Sequence, residues 1–253
     1  MSAALLTVDD VKVHFGGVKA VDGVTLELQP GKLHGVVGPN GSGKTTLINA
    51  ISRFVTLTAG TITFGGESVA GMEPHEVGRS GLARTFQSIR LLPTLTVREN
   101  VLVAVDGRES AWLPAARRAA RKRAGEAADA ALEKLELTRL RDEYPASLPY
   151  GTQRRVEIAR AVAADPKLLL LDEPIAGMNR EERAEIAKIL TNLRDGGLTM
   201  LLVEHDLRTV LNVSDHLFVM NFGRCVADGP PRETALRPEV QEAYLGKRKG
   251  TNA

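Results

Sequence analysis

The sequence predicts an α/β fold built on a mainly parallel sheet, and three observations carry that prediction. First, the strand-like segment Lys32–Val37 runs into Gly38-Pro39-Asn40-Gly41-Ser42-Gly43-Lys44-Thr45, after which Thr46 and Leu47–Ile51 continue with helical character. Second, Lys167 leads into four consecutive leucines, Leu168–Leu171, that end in Asp172-Glu173; such a run suits a strand buried on both faces. Third, strand-like and helix-like segments alternate around these two, as they do where helices cross between parallel strands.

In chain order, Val8–Phe15 and Val24–Leu28 have strand character, the second by alternation of apolar and polar residues, with the turn Phe15-Gly16-Gly17-Val18 between them. Gly60–Phe64 is a further strand, bounded by Gly65-Gly66. Pro74 suits the first turn of a helix, and Leu82–Phe86 leads into Gln87. From Thr96 to about Leu140 glycine becomes scarce and alanine common, and Val97, Val101, Leu102, Ala127, Ala131 and Leu135 fall at helical spacing. This helical insertion breaks at Trp112-Leu113-Pro114 and is closed by Pro145 and Pro149. A helix over Gly151–Ala164, the leucine strand, a helix over Arg180–Arg194 and a strand over Leu198–Val203 follow. A helix to Val213, a strand pair (His216–Phe222 and Cys225–Ala227) and a helix from about Glu239 to Leu245 complete the chain. The pattern reads as one domain, 1–253, in which 1–87 and 150–253 form the core, 88–149 a helical subdomain and 238–253 a terminal helix and tail.

Composition narrows the function classes. With 253 residues, 43% hydrophobic and 25% charged, the chain is ordinary for a globular protein with ample core. No apolar run approaches the ~18 residues that span a bilayer. The opening Met1–Asp10 lacks a positive segment and carries acids where a cleavage site would fall, unlike a signal peptide. The single Cys225 excludes an internal disulfide and fits a reducing compartment, so a cytosolic chain that docks on a membrane through a partner is expected. A net charge of +2 is too small to argue for nucleic acid. Basic residues cluster at Arg117, Arg118, Arg121, Lys122 and Arg123 and at Lys247, Arg248 and Lys249, as a solvated helix face and tail or as an attraction to anionic headgroups.

Gly38–Thr45 matches G-x-x-x-x-G-K-[ST], the phosphate-binding loop. Its glycines let backbone N–H groups approach phosphate oxygens. Lys44 suits the β- and γ-phosphates, and the Thr45 hydroxyl suits Mg²⁺. The following helix turns its positive end to the same anion. Asp172, at the C-terminal end of a buried strand, lies where α/β sheets bind ligands and is a second candidate for Mg²⁺. Glu173, one residue on, could polarise a water in line with the γ-phosphate. His205 closes the next strand, as a γ-phosphate contact or an orienter of Glu173. Gln87 could complete the Mg²⁺ shell or sense the attacking water. Phe15, beside a Gly-Gly turn upstream of the loop, could stack on adenine or pack in the core.

These motifs, in this order, resemble the nucleotide-binding subunits of ATP-binding cassette (ABC) transporters over the whole chain. Walker A is Gly38–Thr45, the Gln loop is at Gln87, the signature is Leu148-Pro149-Tyr150-Gly151-Thr152-Gln153-Arg154-Arg155, Walker B is Leu168–Glu173 and the switch histidine is His205. Arg84-Thr-Phe-Gln87, Glu173-Pro-Ile-Ala-Gly-Met-Asn179, Val203-Glu-His-Asp206 and the ending Pro238–Gly246 are similar to the branched-chain amino acid importers in particular, with urea and short-amide importers close behind.

The resemblance implies an ABC ATPase fold with an N-terminal antiparallel β subdomain and an inserted α-helical subdomain. It implies Phe15 as the adenine-stacking aromatic, and ATP and Mg²⁺ as ligands. It further implies a dimer in which Tyr150, Gly151, Thr152 and Gln153 of one subunit close the other's Walker A. The second subunit is expected to be a paralogue, with a homodimer as the alternative; two membrane permeases and, indirectly, an external solute-binding protein complete the assembly on the inner face of the membrane. Pro149 stands where most signatures carry Ser, which implies one missing contact at the partner's ATP, and Asn179 stands where most carry Asp. A DNA-repair or translation ATPase of the same superfamily would need a long coiled-coil insertion or a second cassette. A phosphate-loop kinase would lack the signature and His205, and a lipopolysaccharide-type exporter fits Arg84–Gln87 and the basic insertion less well.

Overall fold

A computed structural model describes residues 3–106 and 114–245. Trp112 and Leu113 of the expected helix break, and Gly246 with the basic residues Lys247–Lys249, lie outside the described residues.

Two sheets are layered. The smaller is antiparallel, in the order β2 (Val18–Leu28), β1 (Leu6–Phe15), β4 (Ala59–Phe64), β5 (Glu67–Ser68). The larger runs β10 (Arg224–Gly229), β9 (His216–Asn221), β3 (Leu33–Val37), β8 (Thr199–Glu204), β7 (Leu168–Asp172), β6 (Leu82–Arg84). All its pairings are parallel except β10 with β9. Every residue of β3, β7 and β8 is buried, which is why these strands read as apolar runs rather than alternations.

The period of two still sorts their side chains. Leu168 and Leu170 face one core with β1, β2 and helix α1 (Lys44–Ile51); Leu169 and Leu171 face the other, with the helices of the opposite layer. Each such leucine contributes about 1.5–3 kcal/mol of burial, so the strand that carries Asp172 is held from both sides.

After β5 come α2 (Pro74–Arg79), with a Glu73–Glu76 capping box, and the short β6. The helical layer is α3 (Val97–Asp106), α4 (Pro114–Lys134), two single 3₁₀ turns and α5 (Tyr150–Ala163), which packs on both α3 and α4. A stripe of Ala124, Ala128, Ala131 and Leu132 buries one face of α4, while the arginines and lysine of 117–123 lie exposed on it. Arg98 grips Asp129 through two hydrogen bonds of 2.7 and 2.9 Å, joining α3 to α4. Then follow α6 (Arg180–Asp195), α7 (Leu207–Val213), α8 (Pro231–Ala235) and α9 (Pro238–Leu245).

Several boundaries differ from the sequence expectation, and two short elements, β5 and α8, lie outside it. β2 begins at Val18 rather than Val24, because Gly23, at φ 84°, bulges out of a strand that pairs continuously back to Phe15. β6 stops at Arg84, although the Thr85 N–H still donates to Leu170 O at 2.9 Å. The short β5 and α8 are too brief to show a period.

Candidate nucleotide-binding site

The phosphate loop links β3 to α1. Gly43 takes φ 102°, and a Cβ there would lie 2.2 Å from the Ala20 carbonyl oxygen, so only glycine fits. A Cβ on Gly38 would come as close to Met220 O. The loop is pinned from outside by Gly223 N–H, which donates to Ser42 O at 3.0 Å. Asn40, Gly41, Ser42, Gly43, Lys44, Thr45 and Thr46 line a cleft of about 460 Å³ together with Val18–Ala20, Glu173 and Phe222.

Lys44 is buried and folds back on its own loop, donating to Gly38 O at 2.8 Å and Pro39 O at 3.1 Å. Burial pushes its pKa down, against the pull of Glu173, Glu204 and Asp172. The ammonium is thus stored on neutral carbonyls that a phosphate can outbid.

Asp172 ends β7, and Glu173 follows at φ 46°, its N–H held by Val203 O at 2.9 Å. A non-glycine residue in this left-handed region is strained, and here the strain turns the side chain out of the sheet toward the loop cleft. Gln87 Nε2 reaches Glu173 Oε2 at 3.4 Å, and His205 Nδ1 lies 3.7 Å from the same oxygen. Gln87, Glu173 and His205, far apart in sequence, thus converge at one mouth of the cleft. Asp172 is held differently: Arg84 Nη2 donates to its Oδ2 at 3.0 Å, while its buried Oδ1 has no hydrogen-bond partner.

Beneath His205, Glu204 is wholly buried; its Oε1 accepts the Ile175 N–H at 3.2 Å. Burial, with Glu173 and Asp206 nearby, raises its pKa to about 7 despite the Ile175 and His205 amides.

Phe15 is half exposed at the β1–β2 hairpin, so the core alternative for it is corrected; it does not line the loop cleft itself, whereas the exposed Phe222 does. Tyr150, Gly151, Thr152 and Gln153 form the first turn of α5, away from the chain's own phosphate loop. Pro149 is the N-cap of this helix and supplies no side-chain cap. Gly151 packs under Glu182, whose Oε1 would stand 2.8 Å from a Cβ. Asn179 caps α6: its Oδ1 accepts the Glu182 N–H at 2.9 Å, and Glu182 Oε2 accepts the Asn179 N–H at 3.0 Å. An amide serves this cap as well as a carboxylate would.

Sequence reasoning assigned no role to Arg84, Arg154, Glu204 or Phe222. Arg84, Arg154 and Glu204 stand inside the Arg84–Gln87, signature and Val203–Asp206 motifs without a role of their own; Phe222, an aromatic before a turn glycine, stands outside them.

Fold and cleft together define a phosphate-loop nucleotide-binding protein. Residues 21–176 match the family described as ABC transporter, and the chain belongs to that family. It is 40% identical to the high-affinity branched-chain amino acid transport ATP-binding protein BraF of Pseudomonas aeruginosa, over 98% of this chain and 100% of that one. It is 39% identical, with the same coverage, to the corresponding LivG protein of Escherichia coli K12. Among solved structures it resembles the ADP conformation of MJ1267, an ATP-binding cassette of an ABC transporter, with a TM-score of 0.85 and 34% identity over 97% of this chain and 100% of that one. It also resembles the dimeric post-hydrolysis ATP-binding cassette MJ0796 bound to ADP and Pi, with a TM-score of 0.74 and 26% identity over 90% and 99% of the two chains. Among the described residues no helix is long and apolar enough to cross a membrane.

Proposed function

We propose that this chain is the ATP-hydrolysing subunit of an importer for branched-chain amino acids, working as one half of a dimer beneath two permeases. The observation that carries the reading is the meeting of Gln87, Glu173 and His205 at the mouth of the phosphate-loop cleft.

The loop amides and the α1 N-terminus take the phosphates, and Lys44 exchanges Gly38 O and Pro39 O for the β- and γ-oxygens. Glu173 accepts the proton of the attacking water, which Gln87 and His205 help to orient. His205 also reaches the γ-phosphate. Phe15 stacks on adenine from the hairpin above.

A Mg²⁺ shared between protein and phosphates needs only a few protein oxygens. The residues fit it: the partnerless Oδ1 of Asp172 is a vacant acceptor, with the Thr45 hydroxyl in the cleft and Gln87 at its mouth as a further oxygen ligand. Mg²⁺, when bound, neutralises charge developing on the β- and γ-oxygens. The signature turn Tyr150–Gln153 points its helix N-terminus at the partner's nucleotide, so each of the two sites needs both chains.

The test is transport. The chain is purified with the membrane proteins that accompany it and reconstituted in vesicles with the ATPase subunits facing an ATP-filled lumen and the solute-binding protein added outside. ATP-driven accumulation of leucine, isoleucine or valine is expected. Accumulation of urea or short amides instead overturns the solute, and ATP hydrolysis that drives no solute overturns the importer reading.

A further inference from the structure

Arg84 is the least exposed arginine of β6 and its flanks, yet it carries no role in the hydrolysis scheme above. Its guanidinium is all but buried, against an equally buried Asp172. Nη2 donates to Asp172 Oδ2 at 3.0 Å, while Nη1 donates to Asn49 Oδ1 and Ser52 Oγ, each at 2.8 Å. Asn49 lies on α1, and Ser52 caps its C-terminal end. Two aromatic rings flank the cation: its carbon sits 5.6 Å from the centre of Phe54 and 5.1 Å from that of Phe86. The backbone beneath is fixed as well, since Arg84 pairs with Leu170 across β6 and β7.

Most buried carboxylate oxygens find a hydrogen-bond partner. Glu157 Oε1 and Glu204 Oε2 are buried without one too, but Asp172 alone of the three both ends a strand and is gripped by an arginine anchored on the helix that follows the phosphate loop. Here the fork takes one oxygen only and leaves Oδ1 buried without a partner. An arginine held by two hydrogen bonds, two rings and a strand therefore sets the rotamer of Asp172 and decides which oxygen is free.

We propose that Arg84 is the positioning residue of the metal-holding carboxylate: it occupies Oδ2 of Asp172, presents Oδ1 to the Mg²⁺ of the bound nucleotide, and ties that carboxylate to the helix that follows the phosphate loop. The proposal rests on the reading of Asp172 as a Mg²⁺ ligand. It assigns Arg84 to metal affinity and leaves metal-free nucleotide affinity to the loop.

The test separates the two. Mn²⁺, as a paramagnetic substitute, is titrated into the full chain carrying saturating AMP-PNP, and the protein-bound signal is followed by electron paramagnetic resonance. Binding of a fluorescent ATP analogue is measured in parallel with EDTA present. Groups that orient a metal ligand typically change metal affinity about 10–100-fold, so Arg84→Met is expected to weaken Mn²⁺ binding by that factor and to leave EDTA-state nucleotide binding within about twofold. Arg84→Lys, which keeps the charge and loses the fork, is expected to fall between. Unchanged Mn²⁺ affinity in folded Arg84→Met overturns the proposal, as does equal loss of metal-free nucleotide binding. Should Arg84→Met fail to fold, Arg84→Lys decides by the same two measurements. Asp172→Asn keeps the outcomes distinct: if it loses Mn²⁺ and Arg84→Met does not, only the positioning role fails. If Asp172→Asn binds Mn²⁺ as before, the metal reading of Asp172 fails first.

Discussion

Arg154 Nη2 donates to the Gln87 carbonyl at 2.6 Å, and its Nη1 donates at the same distance to the carbonyl of Phe86. The start of α5, which the proposed function assigns to a partner's nucleotide, is thereby lashed to the loop that carries Gln87 to this chain's own Glu173. Arg154 is wholly buried and is balanced by Glu157, whose carboxyl burial pushes up while Arg154 pulls it down. Breaking such a pair from one side strands a charge. Arg154→Met is expected to destabilise the fold by about 3–5 kcal/mol, and Arg154→Met with Glu157→Met to recover most of that. Urea unfolding of both variants checks it; equal losses in the two would show that the carbonyl contacts, rather than the stranded charge, carry the cost.

Such ties explain what was legible in the sequence. Lys44, Thr45, Asp172 and Glu173 announce themselves because each motif is contiguous and its geometry local: a loop between strand and helix, an acid at the end of a leucine strand. Arg84 and Arg154 do not, because their partners lie 88 and 67 residues away and only the β6–β7 pairing and the packing of α5 bring them together. The Gly23 bulge hid the true start of β2 for a related reason: the pairing that keeps Val18–Asp22 in the strand comes from β1, not from local pattern. Phe15 was ambiguous alone, since an aromatic beside a turn packs inward or outward according to what the next layer offers.

Glu173→Gln keeps the shape at the mouth of the cleft and removes the proposed proton acceptor. It is expected to bind ATP and form the nucleotide-sandwiched dimer while turnover of the assembled complex falls about 10²–10⁴-fold. Gel filtration with ATP, alongside phosphate release, checks both halves. Near-normal turnover would remove Glu173 as the base.

Pro149 offers the α5 N-terminus neither a hydroxyl nor a backbone N–H. Pro149→Ser supplies a favoured N-cap, worth about 0.5–2 kcal/mol to the helix over an uncapped residue, along with a hydroxyl for the partner's γ-phosphate. The assembled complex is expected to hydrolyse ATP faster, with the gain at the partner's Walker A. An unchanged rate sinks the idea that this position limits turnover.

Two aromatics are placed to stack on the base of the proposed nucleotide. Phe15 is half exposed on its hairpin, and Phe222 is exposed in the cleft lining at φ 44°, held beside the loop by the Gly223–Ser42 hydrogen bond. Stacking on a base contributes about 1–3 kcal/mol, so Phe15→Ala is expected to weaken ATP binding roughly five- to a hundredfold while inorganic tripolyphosphate binds as before. Phe222→Ala measured beside it shows which ring carries the base. A loss in Phe222→Ala alone would move adenine stacking from the hairpin to the β9–β10 turn.

Glu204 makes stability depend on pH in a direction that can be worked out. Its pKa rises from 4.5 to about 7 on folding, with burial as the main cause, so the unfolded chain gives up the proton first. Between those values the folded state holds a proton that the unfolded state has lost, so the Glu204 contribution to stability falls as pH rises through the window and levels off above pH 7. His34, whose pKa burial pushes down to about 4, contributes the opposite slope. The shift corresponds to about 3 kcal/mol. Glu173, Asp206 and His205 face the group, and Lys44 and Asp172 stand behind them, so the comparison is made on the nucleotide-free chain with all of them intact. Glu204→Gln still accepts from the Ile175 N–H and has no proton to release. It is expected to remove the Glu204 contribution, so that the variant's stability rises more with pH than the parent's and exceeds it at pH 8. Urea midpoints at pH 5, 6, 7 and 8 measure the two slopes; parallel slopes would mean that Glu204 contributes none of the pH dependence.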